Sequence, residues 1–305
     1  MASAPLLAAV EDIRAMRVRG AAAIACAAAK ALAASVAATP GDLPAIQSAA
    51  REGAATLLAS RPTAVSLRHG LAPILAAVSA AAGPDQARHA ALEAAASFAA
   101  EVKASEKAIA RHGATAIRSG ERILTHCHSA TVVSVLAAAQ EQGKAPQVFA
   151  TETRPFRQGL VTARWLREAG VATTLVVDSA ALHVLRTEDI DRVLVGADTV
   201  AGDGSLFNKI GTSQVALGAH AEEVPFWSAA SWIKFTPDAP GAVVVEERAS
   251  DEVAAAADIP AGLRIRNPVF DRTPPEHVTG FVTEEGLVPP RDAVAAALRR
   301  LEVAV

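Results

Sequence analysis

Cys127 lies in Thr125-His126-Cys127-His128-Ser129, at the end of the apolar run ILTH and directly ahead of an amphipathic stretch. A thiol facing the first amides of a helix has its thiolate stabilised, which lowers its pKa and suits it to removing a proton. A cysteine ending a buried strand also serves as small apolar filler, so the residue alone leaves both roles open. Zinc held by His126, Cys127 and His128 is disfavoured, because alternation along a strand sends neighbouring side chains to opposite faces. Other apolar runs also end at ionisable groups: VFAT at Glu152, TLVV at Asp178 and VLVGA at Asp198. Several such strand ends describe a cleft, although each carboxylate alone could be a turn former or a helix cap.

Asp203-Gly204 reads as a turn, and Asn208-Lys209-Ile210-Gly211-Thr212 as the opening of a helix. An amide and an ammonium at a helix start suit a phosphate or a sugar hydroxyl, while an ordinary cap with a solvated lysine fits the same stretch. Upstream, Arg17-Val18-Arg19-Gly20-Ala21-Ala22 precedes a long small-residue run, and Arg61-Pro62-Thr63 places an arginine at a helix break. With Lys209 and Lys234 these form a plausible anion set, although an isolated arginine is commonly solvated or paired with a carboxylate. Neither GxxxxGK nor GxGxxG occurs, and Cys26, inside a small-residue helical run, reads as core.

Two kinds of element must position these groups. From Ala4 to about Arg111 the chain is Ala-rich, with apolar residues at helical spacing and breaks at Thr39-Pro40-Gly41-Asp42, Ser60-Arg61-Pro62-Thr63 and Gly83-Pro84-Asp85, which predicts an all-helical region. From Ile123 onward ILTHC, VFATE, TTLVVD, RVLVGAD and PFWSAA alternate with helical stretches near 130–142, 157–169 and 208–221. Near-continuous apolar strands joined by helical crossovers predict a parallel sheet covered on both faces. The expected fold class is α/β: a helical domain over 1–115 followed by a Rossmann-like domain over 116–305, whose strand ends would carry the chemistry.

Composition narrows the function. Of 305 residues, 51% are hydrophobic and 20% charged, which excludes disorder as the main state and allows a large buried core. A net charge of −3 supplies no single-sign field for nucleic acid or an anionic membrane, leaving small ligands as the expected partners. The opening MASAPLLAAVEDIRAMRVRG lacks a basic segment before an apolar one, which makes the cytoplasm the expected location. Two cysteines make neither a disulfide framework nor a four-thiolate zinc site.

MRVRGAAAIA, SRPTAVSL, ILTHCHSA, ETRPFRQG, VVDSAA, VGADTV, FNKIGT and NPVFDRTPPEHV followed by TEEGLVPP carry a resemblance that spans nearly the whole chain. By these stretches the sequence resembles the superfamily of sugar-phosphate aldose-ketose isomerases that also contains regulatory subunits of the eukaryotic initiation-factor nucleotide exchange factor. His126-Cys127-His128-Ser129, Lys234-Phe235 in WIKFTP and Thr273-Pro274-Pro275-Glu276 are similar to its ribose 1,5-bisphosphate isomerase branch. The resemblance implies conversion of that sugar to ribulose 1,5-bisphosphate in nucleotide salvage, without a cofactor or metal. Cys127 corresponds to the base that takes the carbon 2 proton and Asp198 to the acid that protonates the ring oxygen, in a dry site made by closure of the helical domain. Arg19, Gly20, Ala21 and Ala22 correspond to the first phosphate-binding turn and Arg61 to a second arginine. Ser129, Ala130, Thr131, Asn208, Lys209 and Lys234 match the remaining substrate contacts, and Gln158 matches a substrate-contacting glutamine of the methylthioribose branch. Ala22 and Ala23 stand where that branch commonly has Gly and Arg, and Arg68-His69 replaces less charged residues; these departures bear on the 5-position. Two alternatives follow from the same resemblance: an isomerase of methylthioribose 1-phosphate or another 5-substituted ribose 1-phosphate, and a non-catalytic regulatory subunit. It also implies a homodimer or higher homo-oligomer and leaves room for a nucleotide activator such as AMP.

Overall fold

A computed structural model describes residues 3–303 apart from Met16, Arg19, Pro62 and Thr63. Five helices fill the Ala-rich region: α1 (Ala4–Arg14), α2 (Ala21–Ala37), α3 (Leu43–Ser60), α4 (Val65–Ala80) and α5 (Pro84–Ala116). The three expected breaks separate α2 from α3, α3 from α4 and α4 from α5, while the separation of α1 from α2 falls outside them. Asp42 caps α3 by accepting a hydrogen bond from the Ala45 amide at 3.1 Å, the usual answer to unpaired first-turn donors. Leu6, Ile24, Leu32, Ile46, Leu57, Leu67, Leu71 and Ile74, all fully buried, lie at helical spacing and make the core of this bundle.

The rest of the chain runs β1 (Arg122–Thr125), α6 (Ala130–Glu141), β2 (Gln147–Thr151), α7 (Gln158–Glu168), β3 (Ala172–Val176), α8 (Ala181–Thr187) and β4 (Arg192–Val195). It continues through β5 (Thr199–Val200), β6 (Leu206–Lys209), α9 (Thr212–Ala221), β7 (Phe226–Ala229), β8 (Phe270–Thr273), β9 (Gly280–Thr283), β10 (Gly286–Val288) and α10 (Pro290–Val303). Seven strands form one sheet in the order β10-β9-β7-β4-β1-β2-β3, parallel except for the antiparallel β10. This is a doubly wound α/β sheet, as the alternation of apolar runs and helices predicts. Chain order reverses between β1 and β4, so the crevice beyond their carboxyl ends is the topological switch point where such sheets bind ligands.

One expectation fails. Asn208 and Lys209 do not open a helix: they end β6, which pairs with β5 and β8 in a separate three-stranded antiparallel sheet, Lys209 opposite Phe270. Gly211, at φ +99°, turns the chain, and α9 starts only at Thr212. The strand that pairs with Asn208 and Lys209 lies about sixty residues downstream, beyond the reach of local spacing.

Contacts divide the chain into two compact units. The helical unit holds the chain up to Ser105, Ile233–Phe235 and Ala297 onward, and the sheet unit holds Glu106–Trp232 and Thr236–Ala296. Lys234, buried on a single helical turn, therefore belongs to the helical unit although the sequence around it is sheet-unit sequence. No helix among the described residues is long and apolar enough to cross a membrane.

Candidate active site at the switch point

Within the sheet unit, Cys127 follows β1 and Asp198 follows β4, adjacent parallel strands on the two sides of the switch point. Between them the close approach is built in: a Cβ at Gly196 would lie 2.7 Å from the Ser129 Cβ, so only glycine lets the end of β4 pass the start of α6. Ser129 caps α6, accepting from the Val132 amide at 3.3 Å, and Ala130 and Thr131 supply first-turn amides with no intrahelical partner. The positive end of a twelve-residue helix thus points at the Cys127 loop.

Cys127 itself adopts φ +69°, a left-handed conformation that costs a non-glycine residue energy. Its backbone is held from both sides. Its amide donates to Thr153 Oγ1 at 2.8 Å, and its carbonyl accepts from Thr162 Oγ1 at 3.0 Å. Because the Thr162 proton is spent there, His128 Nδ1 must donate to Thr162 Oγ1 at 3.0 Å, and burial lowers the pKa of this imidazole. The thiol points at Gln158, the first residue of α7, with Sγ 3.6 Å from Oε1.

The acidity of Cys127 departs from the expectation. Burial pushes the thiol up to about 12; the Lys209 ammonium pulls it down, the carboxylates of Asp198 and Asp178 push it up further, and a hydrogen bond from the His128 backbone pulls it down. A helix start nearby does not offset the loss of solvation on a side chain this deep in the fold. The same balance places Lys209 and Asp198 each within charge reach of Cys127. Lys209 is 8% exposed, its ammonium 5.2 Å from the centre of the Phe270 ring. Asn208, also buried, donates from Nδ2 to Thr212 Oγ1 at 3.0 Å, and that hydroxyl donates to the Lys209 carbonyl at 2.6 Å.

Asp178 takes the structural role left open for it: its two oxygens accept from the Thr153 and Arg154 amides, both at 2.7 Å. Asp271, in a motif with no role assigned to that residue, accepts from the Gly211 amide at 2.7 Å and the Ser213 amide at 3.1 Å, and burial raises it to about 6. His126, Thr151 and Thr153 also join the site's framework. The available signal was periodicity: Thr151 and Thr153 bracket Glu152 at a spacing of two.

The helical unit holds the other expected contacts. Gly20, at φ +90°, precedes α2, so the partly exposed Ala21 and Ala22 present first-turn amides suited to an anion. Arg61 follows α3 directly. His69, on α4, donates from Nε2 to the Phe235 carbonyl at 3.0 Å and so fastens the segment that carries Lys234. Arg19 lies outside the described residues. Among the described residues no three His, Cys, Asp or Glu side chains gather as a metal set.

A doubly wound α/β sheet with Cys127 and Asp198 at the strand ends flanking its switch point has the layout of a small-molecule enzyme. The chain belongs to the Initiation factor 2 subunit family, whose pattern matches residues 17–290. It is 39% identical over 298 residues to the ribose 1,5-bisphosphate isomerase of Archaeoglobus fulgidus, covering 97% of this chain and 93% of that protein. It is also 39% identical over 310 residues to the methylthioribose-1-phosphate isomerase of Chloroflexus aurantiacus, covering 95% and 88%. Among solved structures, translation initiation factor eIF-2B of Pyrococcus horikoshii superposes with a TM-score of 0.83 at 29% identity, covering 96% of this chain and 99% of that one. A chain this similar to curated isomerases over nearly its whole length is itself an isomerase.

Proposed function

We propose that this sugar-phosphate isomerase converts ribose 1,5-bisphosphate to ribulose 1,5-bisphosphate, with Asp198 as general acid and Cys127 as general base. The observation that carries the reading is the placement of these two groups at the carboxyl ends of β1 and β4, with Lys209 in charge reach of the thiol. In a ribose 1-phosphate the anomeric carbon is a phospho-acetal and cannot open to a free aldehyde. Asp198 protonates the ring oxygen as its bond to carbon 1 breaks. Cys127 then removes the carbon 2 proton, leaving an enol between carbons 1 and 2. Reprotonation at carbon 1 and loss of the 2-hydroxyl proton give the ketose, an isomer of the substrate with no net redox change. The amides of Ala130 and Thr131 and the Lys209 ammonium suit the developing negative charge and the phosphate. Gly20, Ala21, Ala22 and Arg61 suit a second anion.

The second reading is a 5-methylthio sugar. It is favoured by equal identity to the two curated isomerases and by Ala22 and Ala23 in the anion turn. Phosphorus NMR of the protein incubated separately with ribose 1,5-bisphosphate and methylthioribose 1-phosphate decides between them: a ketose from the bisphosphate alone is the expected result, and turnover of the thioether alone rejects it. Lys234→Ala is expected to raise KM for the bisphosphate by roughly ten- to a hundredfold, the loss of one charge-assisted phosphate contact, and to leave the thioether sugar's KM within about twofold. Equal losses on both substrates would remove Lys234 from the 5-phosphate.

A homo-oligomer belongs to the same proposal. Exposed large apolar side chains concentrate on and beside α7, the edge strand β3 and α8, namely Phe156, Leu160, Trp165, Leu175, Val177 and Leu182. An open edge with apolar cover is what a second copy would bury. Light scattering is expected to give at least a dimer mass; a monomer at micromolar concentration contradicts the assignment.

A further inference from the structure

His126 is 3% exposed and has no part in the reaction proposed above. Its two nitrogens are nonetheless both committed. Nε2 lies 2.9 Å from the Ile210 carbonyl, which can only accept, so Nε2 carries the ring proton. Nδ1 therefore accepts, from the Thr151 hydroxyl at 2.6 Å. Burial lowers the pKa of the imidazole, which keeps it neutral, while hydrogen bonding to Ile210 and the Asp178 charge act in the other sense and Lys209 reinforces the lowering. Thr151 Oγ1 is 3.3 Å from Thr153 Oγ1, which receives the Cys127 amide. Thr153 in turn gives its own amide to Asp178. The ends of β1, β2 and β3 and the turn after β6 are thus tied by one buried chain of hydrogen bonds with His126 in the middle.

That turn carries Lys209. Its far side is pinned by Asp271 through the Gly211 amide, and its near side by His126 through the Ile210 carbonyl. Gly211 permits the fit: a Cβ there would sit 3.0 Å from His126 Cε1, on a backbone at φ +99° that side chains rarely adopt. The imidazole therefore packs against the backbone of the turn as well as binding it.

We propose that His126 is a positioning residue whose ring, bonded to Thr151 on one side and to the Ile210 carbonyl on the other, locks the Lys209–Gly211 turn and so holds Lys209 in place beside the Cys127 loop. Among the described residues the charges that act on the Cys127 thiol are Lys209, Asp198 and Asp178, of which Lys209 is the cation that favours the thiolate. Loosening the turn removes this help and leaves the two carboxylates. The inference rests on Cys127 being the base, but its test needs no substrate.

The measurement is the rate at which iodoacetamide alkylates Cys127 across neutral to alkaline pH, followed by mass spectrometry of the peptide that holds Cys127, so that Cys26 does not interfere. His126→Leu is expected to slow alkylation at mildly alkaline pH by roughly three- to tenfold, because only the thiolate reacts. His126→Gln, whose amide nitrogen can reach the Ile210 carbonyl as Nε2 does, is expected to restore the rate to within about twofold. Adding Lys209→Met to His126→Leu is expected to change nothing further, the signature of two residues acting through one contact. A leucine variant with the wild-type profile overturns the proposal, as does equal slowing in the glutamine variant. If the leucine variant does not fold, Asp271→Asn carries the test from the other side of the turn: slower alkylation supports the lock and an unchanged profile overturns it. Failure of Cys127 as the base would appear separately, as undiminished turnover in Cys127→Ser.

Discussion

Cys127→Ser is expected to lower kcat/KM on the sugar phosphate by at least about a thousandfold, roughly 4 kcal/mol of transition-state stabilisation, with thermal stability nearly unchanged. Serine is close to isosteric and its hydroxyl can replace the weak contact to Gln158, so the fold has no reason to suffer. The chemistry does. An alcohol holds its proton several orders of magnitude more tightly than a thiol, even one pushed up to about 12, and the site has no second base beside carbon 2 in this reading. Steady-state kinetics with a melting curve of the same preparation checks this. Activity within about tenfold of wild type would remove Cys127 from the reaction, and with it the reading of the switch point.

Asp198→Asn should cost about as much, and it should also change the form of the pH profile. In the wild type the reactive species carries a proton on Asp198 and none on Cys127, and these two requirements move oppositely with pH. The carboxamide of the variant fills the same space but has no proton to give and no ionisation, so only the thiol's requirement is left. The residual kcat/KM of D198N is then expected to climb about tenfold per pH unit through neutrality toward the thiol's value of about 12. A variant profile of the same shape as the wild type's would mean that Asp198 is not the acid. The same burial affects stability. A thiol that ionises near 12 when folded and near 9.0 when unfolded contributes stability that is complete below the unfolded value and is lost as pH rises through the folded one. Cys127→Ser removes that loss, so the variant should tolerate strongly alkaline pH better than the wild type while being the poorer catalyst.

The role of Lys209 shows how local and distant information divide. FNKIGT stands out by residue type, because an amide, an ammonium and glycine together suit a phosphate. Its form as the end of a strand followed by a left-handed turn depends on pairing with Phe270–Thr273, which no period within the segment reveals. Lys234 gives the same lesson: WIKFTP follows β7 in sequence, yet Ile233–Phe235 pack with the helical unit and His69 holds them there.

The sequence by itself determined the broad architecture and the strand ends at which Cys127 and Asp198 stand. Helical spacing with Pro and Gly breaks is read within a few residues, and so are buried parallel strands, since their apolar runs need no partner to be recognised. Strand ends bearing Cys127 and Asp198 follow from the same reading, and a doubly wound sheet brings such ends to one crevice. Tertiary structure alone decided the thiol's acidity, the neutrality of His126 and the structural duty of Asp178. Each of these is set by desolvation and by hydrogen bonds between residues 25 to 84 positions apart. A pKa depends on what surrounds a group in space, and a helix start next in sequence counts for less than removal from water.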